Sequence, residues 1–408
     1  MEYHPRSLAQ VIRRALGTFP AVLVTGARQT GKTSLLRNEF PGHRYLSLDQ
    51  PDVRLRAAAD PAGFLLDHPP PLVLDELQHV PELLPYLKAR IDEDRSPGRF
   101  LLTGSQKLRL MRGVSESLAG RVAVLELDPF SVRELAPGRA SEPLDSLLER
   151  VFGEGPPSDP GAAGQELADW LLRGGYPEPR LNPAVDRRLW FSSYVQTYLE
   201  RDIRDLVQVA DLNAYGRFLA LVAARSGGLL NAAELGREVG VTAPTIQRWL
   251  SVLETTHVLH LLPPFHRNLG KRLRKAPKLH LLDCGLLAYL LGLQTAEQIL
   301  QGPSLGGLTE CAVVAEWLKA FRQAGERASL SHWRSAAGDE VDLVFERGER
   351  IYAVEVKATA SPTPHHAEGL RRFLALAGPT ARGVLACRVE RPVHLLPGIR
   401  AVPWHLAW

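Results

Sequence analysis

Gly26-Ala27-Arg28-Gln29-Thr30-Gly31-Lys32-Thr33, followed by Ser34, has the spacing GxxxxGK[ST] and lies between a short apolar run and a helix-like segment. Each part has a physical use. Glycines let the main chain curl until successive N–H groups converge on phosphate oxygens. The helix that follows adds the positive end of its dipole. In such a loop Lys32 neutralises β- and γ-phosphates, and the Thr33 hydroxyl binds Mg²⁺. The expected ligands are therefore ATP and Mg²⁺, held by Gly26 through Ser34.

Three further stretches could complete a phosphoryl-transfer site. Leu72-Val73-Leu74-Asp75-Glu76 is an apolar run ending in two carboxylates. Asp75 is placed to hold Mg²⁺ through water, and Glu76 to polarise an attacking water as general base. Leu101-Leu102-Thr103-Gly104-Ser105 is another apolar run with a polar end, where Ser105 senses the γ-phosphate or simply makes a turn. Arg121, just ahead of Val122-Ala123-Val124-Leu125, is the candidate for charge on the departing phosphoryl group. A solvated surface arginine is the alternative.

A second constellation lies near the end of the sequence. Glu340 to Arg347 and Arg350 to Lys357 read as a β-hairpin closed by Gly348-Glu349, a type II′ pattern. That register sets Asp342 opposite Glu355, with side chains about 5 Å apart. Lys357 shares their face. Glu310 extends the stripe Val313, Val314, Trp317, Leu318 and Phe321 of a preceding helix, so it points toward the sheet. Opposed carboxylates destabilise a sheet unless something bridges them. A second Mg²⁺ or a Mn²⁺ on Asp342 and Glu355, with Lys357 polarising water or phosphate, explains the cluster and suits phosphodiester cleavage. Solvated charges on an edge hairpin are the alternative.

Between these sites, Asn231 to Val239 and Thr242 to Leu253 read as helix, turn, helix, broken at Gly240. The second helix buries Ile246, Trp249, Leu250 and Leu253, leaving Thr245, Gln247 and Arg248 outward near its start. A basic ribbon follows with Arg267, Lys271, Arg272, Arg274, Lys275 and Lys278, and no carboxylate occurs between Glu254 and Asp283. This pattern suits a winged helix touching DNA phosphates, or a winged helix used only between proteins.

The elements that must position these groups are legible too. Runs at Ala21–Val24, Arg44–Asp49, Leu72–Asp75, Phe100–Thr103 and Val122–Leu125 suit strands buried on both faces, and the spacers are long enough for crossover helices. Helices are expected at Thr33–Asn38, Leu83–Asp92 and Lys107–Leu118. The 408 residues, 45% hydrophobic and 23% charged, suit several globular domains and exclude a disordered chain. No apolar run reaches the roughly 18 residues needed to span a bilayer, and the first residues lack a secretory pattern. A cytoplasmic protein without membrane contact is expected. Cys284, Cys311 and Cys387 are too few and too scattered for a disulfide scaffold or a cysteine zinc site. The net charge of +4 permits an acidic partner without naming one.

On these motifs the sequence resembles a prokaryotic family of AAA-type (AAA+) P-loop ATPases joined to a winged helix and a restriction-endonuclease-like, PD-(D/E)xK, domain. The likeness also rests on Leu118-Ala119-Gly120-Arg121, Pro129-Phe130-Ser131, Gly174-Gly175-Tyr176-Pro177, Lys278 through Leu286, Trp333-Arg334, Glu340-Val341-Asp342 and Glu355-Val356-Lys357. It implies an α/β fold, with a P-loop parallel sheet, a helical lid, a winged helix and an α/β nuclease-like domain. The corresponding bounds are 1–135, 136–205, 206–295 and 296–408. It implies an extra strand between the P-loop strand and the Asp75 strand. It also assigns the nuclease signature to Glu310, Asp342, Glu355 and Lys357, with Val341 where a proline is common. A homo-oligomer is implied, a ring among its forms, with Arg121 acting within one subunit or across a boundary. Two functions are consistent with this reading. One is an ATP-hydrolysing protein acting on DNA by remodelling, branch migration or cleavage. The other is a nucleotide-gated switch or scaffold for a protein partner, its nuclease fold inactive.

Overall fold

The computed structural model describes residues 2–104, 118–136, 138–153, 167–199, 211–266 and 276–406. They form two compact units. The first comprises residues up to Phe130 with Thr255–His257 and Arg322–Glu326, and the second holds the rest. Among the described residues no helix is long and apolar enough to cross a membrane.

The first unit alternates helices and strands: α1 (Leu8–Leu16), β1 (Ala21–Thr25), α2 (Lys32–Glu39), β2 (Arg44–Ser47), α3 (Pro51–Ala59), α4 (Pro61–Asp67), β3 (Leu72–Asp75), α5 (Leu83–Glu93), β4 (Phe100–Gly104) and β5 (Val122–Glu126). The strands make one parallel sheet in the order β2-β3-β4-β1-β5. Alternate residues of the central strands face opposite ways. Leu23, Leu74 and Leu102 pack with Leu83, Leu84, Leu87 and Ile91 of α5. Val22, Val24, Val73 and Leu101 pack with α1 and α2 through Leu8, Ile12, Leu35 and Leu36. The expectation of burial on both faces holds for β1, β3 and β4 but not for β2 and β5, which are partly exposed at the sheet edges. The extra strand is β4. It separates β1 from β3, so all three C-terminal ends line one edge. The expected helix at 107–118 falls almost wholly outside the described residues.

The second unit begins with helices α6 (Val132–Leu135), α7 (Leu144–Phe152), α8 (Leu167–Arg173), α9 (Pro177–Leu181) and α10 (Arg187–Tyr194). Next come α11 (Leu212–Ala224), α12 (Ala232–Val239), α13 (Ala243–Thr255), β6 (Leu259–Leu262), β7 (Lys278–Leu281), α14 (Cys284–Leu290), α15 (Ala296–Gln301) and α16 (Leu305–Ala324). It ends with β8 (Leu330–Arg334), β9 (Glu340–Arg347), β10 (Arg350–Val356), α17 (Glu368–Ala377), β11 (Ala381–Cys387), β12 (Val393–Leu396) and β13 (Ile399–Pro403). The last six strands form a mixed sheet ordered β12-β13-β11-β10-β9-β8. The hairpin has the expected register, Arg350 opposite Arg347 and Val354 opposite Leu343. Gly348 turns it at φ +61°.

The described residues of 136–205, where a helical lid was expected, belong to the second unit. Contacts group them with the C-terminal sheet. The apolar face of α7 explains this, since Leu144, Leu147, Leu148, Val151 and Phe152 need cover. Phe152 finds it against Tyr352 (ring centroids 4.9 Å apart) and Trp317 (5.8 Å). Burying each such side chain contributes about 2 kcal/mol.

Two of the motifs that carry the family likeness meet in one joint. Asp283 caps α14 by accepting from Leu286 N (2.9 Å) and also accepts from Gly175 N (2.7 Å). Gly174 has φ +64°, and a Cβ there would lie 2.2 Å from Asp283 Oδ1. Gly-Gly-Tyr-Pro and Asp-Cys-Gly are thus two halves of a buried contact between α8 and α14. Gly174→Ala should combine left-handed strain with overlap, costing about 3 kcal/mol. It should lower the melting temperature by roughly 6–12 °C in circular dichroism; an unchanged melt would refute this account of the joint.

Candidate functional site

The phosphate-loop geometry begins with close backbone packing. Gly26 has φ +147°, and a Cβ there would stand 2.1 Å from the Leu127 carbonyl oxygen. Gly31 begins α2 at φ +90°, and Gln29 is also left-handed at +63°. Lys32 is 5% exposed and its ammonium donates to the carbonyls of Gly26 (3.0 Å) and Ala27 (2.8 Å). Thr30 Oγ1 donates to Ala27 O at 3.0 Å. Ser34 faces solvent in the first turn of α2, while Arg28 is half-buried.

Asp75 is the hub of the site. Its Oδ2 accepts from Thr33 Oγ1 (2.8 Å) and Tyr45 OH (2.5 Å), and its Oδ1 accepts from Thr103 Oγ1. Burial, then the bond and charge of Asp75, push the Tyr45 phenol up, so it stays protonated and donating. Glu76 follows in the left-handed region, φ +58°. Its N–H donates to Thr103 Oγ1 (3.0 Å) and its carboxylate accepts from Gln78 Nε2. A non-glycine residue held there costs about 1–3 kcal/mol, which fits a carboxylate oriented for use rather than for stability. The Thr33 hydroxyl and Asp75 carboxylate form an all-oxygen donor pair, the chemistry Mg²⁺ takes.

Arg6, absent from the sequence reading, clamps this loop from the amino end. It is 5% exposed, donates to Thr30 O (2.8 Å) and Asp128 O (2.7 Å), and lies 4.2 Å over the Phe130 ring. Arg121 stands elsewhere. It precedes β5, and Val122 pairs with Ala21 at the start of β1, whereas the phosphate loop follows the far end of β1. About 13 Å of strand separates those two edges. Arg121 is bound by Asp92 through two 2.8 Å bonds, which raise it and hold the Asp92 carboxyl down at about 2. Within one subunit it does not reach the phosphate loop. Ser105 lies outside the described residues.

In the second unit the structure brings Glu310, Asp342, Glu355 and Lys357 together, and adds a group the sequence reading placed on the DNA-facing ribbon. Lys278 is not on an exposed ribbon. It starts β7 with 3% exposure, and its ammonium donates to Glu310 Oε1 (2.9 Å) and Asp342 Oδ1 (3.0 Å) and forms an ion pair with Glu340. Asp342 Oδ2 accepts from Val356 N (2.9 Å), and Lys357 pairs with Glu355 Oε1. Burial and the Asp342 charge push the Glu310 and Glu355 carboxyls upward. Burial opposes the charge on Lys278, but Asp342, Glu310 and Glu340 outweigh it and raise the ammonium. Where a metal bridge between Asp342 and Glu355 was expected, the Lys278 ammonium bonds Asp342 Oδ1 and the Lys357 ammonium bonds Glu355 Oε1. Among the described residues no group of three or more His, Cys, Asp and Glu is arranged to hold a metal ion.

On the helix pair, Gln247 and Arg248 are exposed near the start of α13, whereas Thr245 is half-buried and bonded to Thr242 (2.9 Å). Arg267, Lys271, Arg272, Arg274 and Lys275 lie outside the described residues.

Comparison with known proteins agrees with the first unit. Residues 18–136 match the profile of an AAA domain, and residues 164–297 and 305–407 each match a domain of unknown function. Uncharacterized proteins of Mycobacterium tuberculosis and Mycobacterium bovis are each 34% identical over 360 residues, covering 88% of this chain and 75% of theirs. The chain belongs to their family, and its own residues 18–136 are an AAA-type P-loop ATPase domain. Among solved structures, the Walker-type ATPase of Pyrococcus abyssi aligns at 14% identity and TM-score 0.39, over 71% of this chain and 99% of that one. A RuvB variant of Thermotoga maritima aligns at 16% and 0.28, over 63% and 89%.

Sequence signals for the missed residues were partial. Thr103 shares the polar strand end that suggested Ser105, while Tyr45 and Arg6 carry no local signature. Removing Arg6 leaves two buried carbonyls without a charged donor, a loss of roughly 3 kcal/mol. Arg6→Ala should therefore lower the urea midpoint, and Arg6→Lys should recover less than half, since an ammonium lacks the fork. Wild-type stability in Arg6→Ala would remove the clamp from the account.

Proposed function

We propose that the chain is an ATP-hydrolysing AAA protein that acts on duplex DNA, with the second unit as the part that engages nucleic acid. The observation carrying the ATPase half is the convergence of Lys32, Thr33, Asp75, Thr103 and Glu76 along one sheet edge. When nucleotide enters, Lys32 exchanges loop carbonyls for β- and γ-phosphate oxygens. Thr33 and Asp75 would hold Mg²⁺, which would screen the charge of the triphosphate. Glu76, oriented by Gln78 and its left-handed backbone, accepts a proton from the water whose oxygen bonds the γ-phosphorus as the bond to the bridging oxygen breaks, leaving ADP and phosphate. Thr103 links the Asp75 carboxylate to the Glu76 backbone, so both move as one. Lys32→Ala should abolish nucleotide binding in a fluorescent-nucleotide titration. Glu76→Gln should bind normally and lose at least about 100-fold in turnover; wild-type turnover in that variant would remove Glu76 from its role.

The DNA half is supported by three helices followed by the two-stranded sheet of β6 and β7, the order of elements in a winged helix. Gln247 and Arg248 are solvent-facing at the start of its second helix-turn-helix member. Duplex DNA should raise ATPase turnover, with binding that weakens steeply as salt rises. Turnover indifferent to every DNA or RNA tested would overturn this half. Arg121 then serves a neighbouring copy's nucleotide in a homo-oligomer. Mixing wild-type and Arg121→Ala subunits should depress activity below the sum of the parts, and strictly additive activity would count against it.

One observation favours a second reading, a nucleotide-gated switch or scaffold. Lys278 already ion-pairs with two of the nuclease-like carboxylates, Glu310 and Asp342. A cleavage assay with Mg²⁺ or Mn²⁺ separates the readings, because cutting by wild type and not by Asp342→Ala would exclude the scaffold.

A further inference from the structure

The carboxylates of the second unit surround a cation that the chain itself supplies. An ammonium has three N–H donors, and Lys278 meets three carboxylates, donating to Glu310 and Asp342 and ion-pairing with Glu340. Those acceptors come from α16 and β9, whereas Lys278 belongs to β7 of the separate two-stranded sheet. The neighbouring histidine does not compete as a cation. His280 lies 3.8 Å from Glu310, yet burial and then the Lys278 charge hold its imidazole neutral. Glu355 Oε2 is buried without a hydrogen-bond partner among the described residues. A divalent ion drawing on these oxygens would stand within a few ångströms of the ammonium, where like charges in a low-dielectric site repel strongly.

We propose that Lys278 is a tethered counter-cation that closes this cluster to divalent metal, and that removing its charge converts Glu310, Asp342 and Glu355 into a site for Mg²⁺ or Mn²⁺. Hard carboxylate oxygens are the donors such ions take. The proposal is independent of the nucleotide site and of DNA binding.

The test uses the full chain without nucleotide and Mn²⁺ alone, with free Mn²⁺ followed by electron paramagnetic resonance. Any ion held by the first unit is common to all variants and drops out of the difference. Lys278→Ala should bind one more Mn²⁺ than wild type, at least roughly 100-fold tighter at that site, and Asp342→Asn added to it should abolish the gain. Lys278→Arg, which keeps the charge, should behave as wild type. Extra binding in wild type that Asp342→Asn removes would overturn the proposal, as would a folded Lys278→Ala chain with no added ion. Because the alanine variant leaves buried carboxylates uncompensated, its melting is measured too. Mn²⁺ should restore at least half of the lost melting temperature, by stabilising only the folded form; a melt unmoved by Mn²⁺ would also overturn it.

Discussion

The Asp75 carboxylate accepts from the Thr33, Tyr45 and Thr103 hydroxyls, each carried by a different element of the first unit. The nucleotide site depends on that convergence. It ties α2, β2, β3 and β4 together at one edge, and through Thr103 it reaches the Glu76 backbone. The sheet order makes it possible. With β4 between β1 and β3, a threonine at its end is within reach of both the carboxylate and the residue after it. A buried carboxylate needs such donors, since an unpaired one would cost several kcal/mol.

The two units handle clustered charge in opposite ways. Around Asp75 the donors are neutral hydroxyls, which leave the carboxylate's negative charge available to a cation. Around Asp342 a backbone N–H is joined by an ammonium, which offsets that charge. The same residue type thus marks a place for metal chemistry in one unit and an internally balanced ion cluster in the other. A buried ion cluster of this kind contributes little net stability, yet losing one partner leaves an uncompensated charge. It joins β7, α16 and β9 through one ammonium.

Much of the fold was legible in the residues. The apolar runs marked all five strands of the first sheet, and Gly348-Glu349 set the hairpin register, because strand burial and turn backbone geometry are local properties. The Gly-Gly-Tyr-Pro and Asp-Cys-Gly motifs were visible as motifs, but not as one contact. Their meeting requires α8 and α14 to pack, more than 100 residues apart in the chain. The placement of α7 was missed for a similar reason: its apolar face signals burial without naming the surface that provides it.

The sequence by itself determined the phosphate loop, the carboxylates after β3, the acidic and basic residues of the hairpin and the face of α16 that carries Glu310. Spacing along one chain segment decides these through backbone sterics and periodicity. Only the tertiary structure decided that Lys278 leaves the basic ribbon for the carboxylates, that Arg121 stands at the far edge of the sheet, and that Arg6, Tyr45 and Thr103 complete the nucleotide site. Charge pairing and hydrogen bonding act over a few ångströms in space, whichever segments the fold brings there, and a one-dimensional pattern carries no such distance.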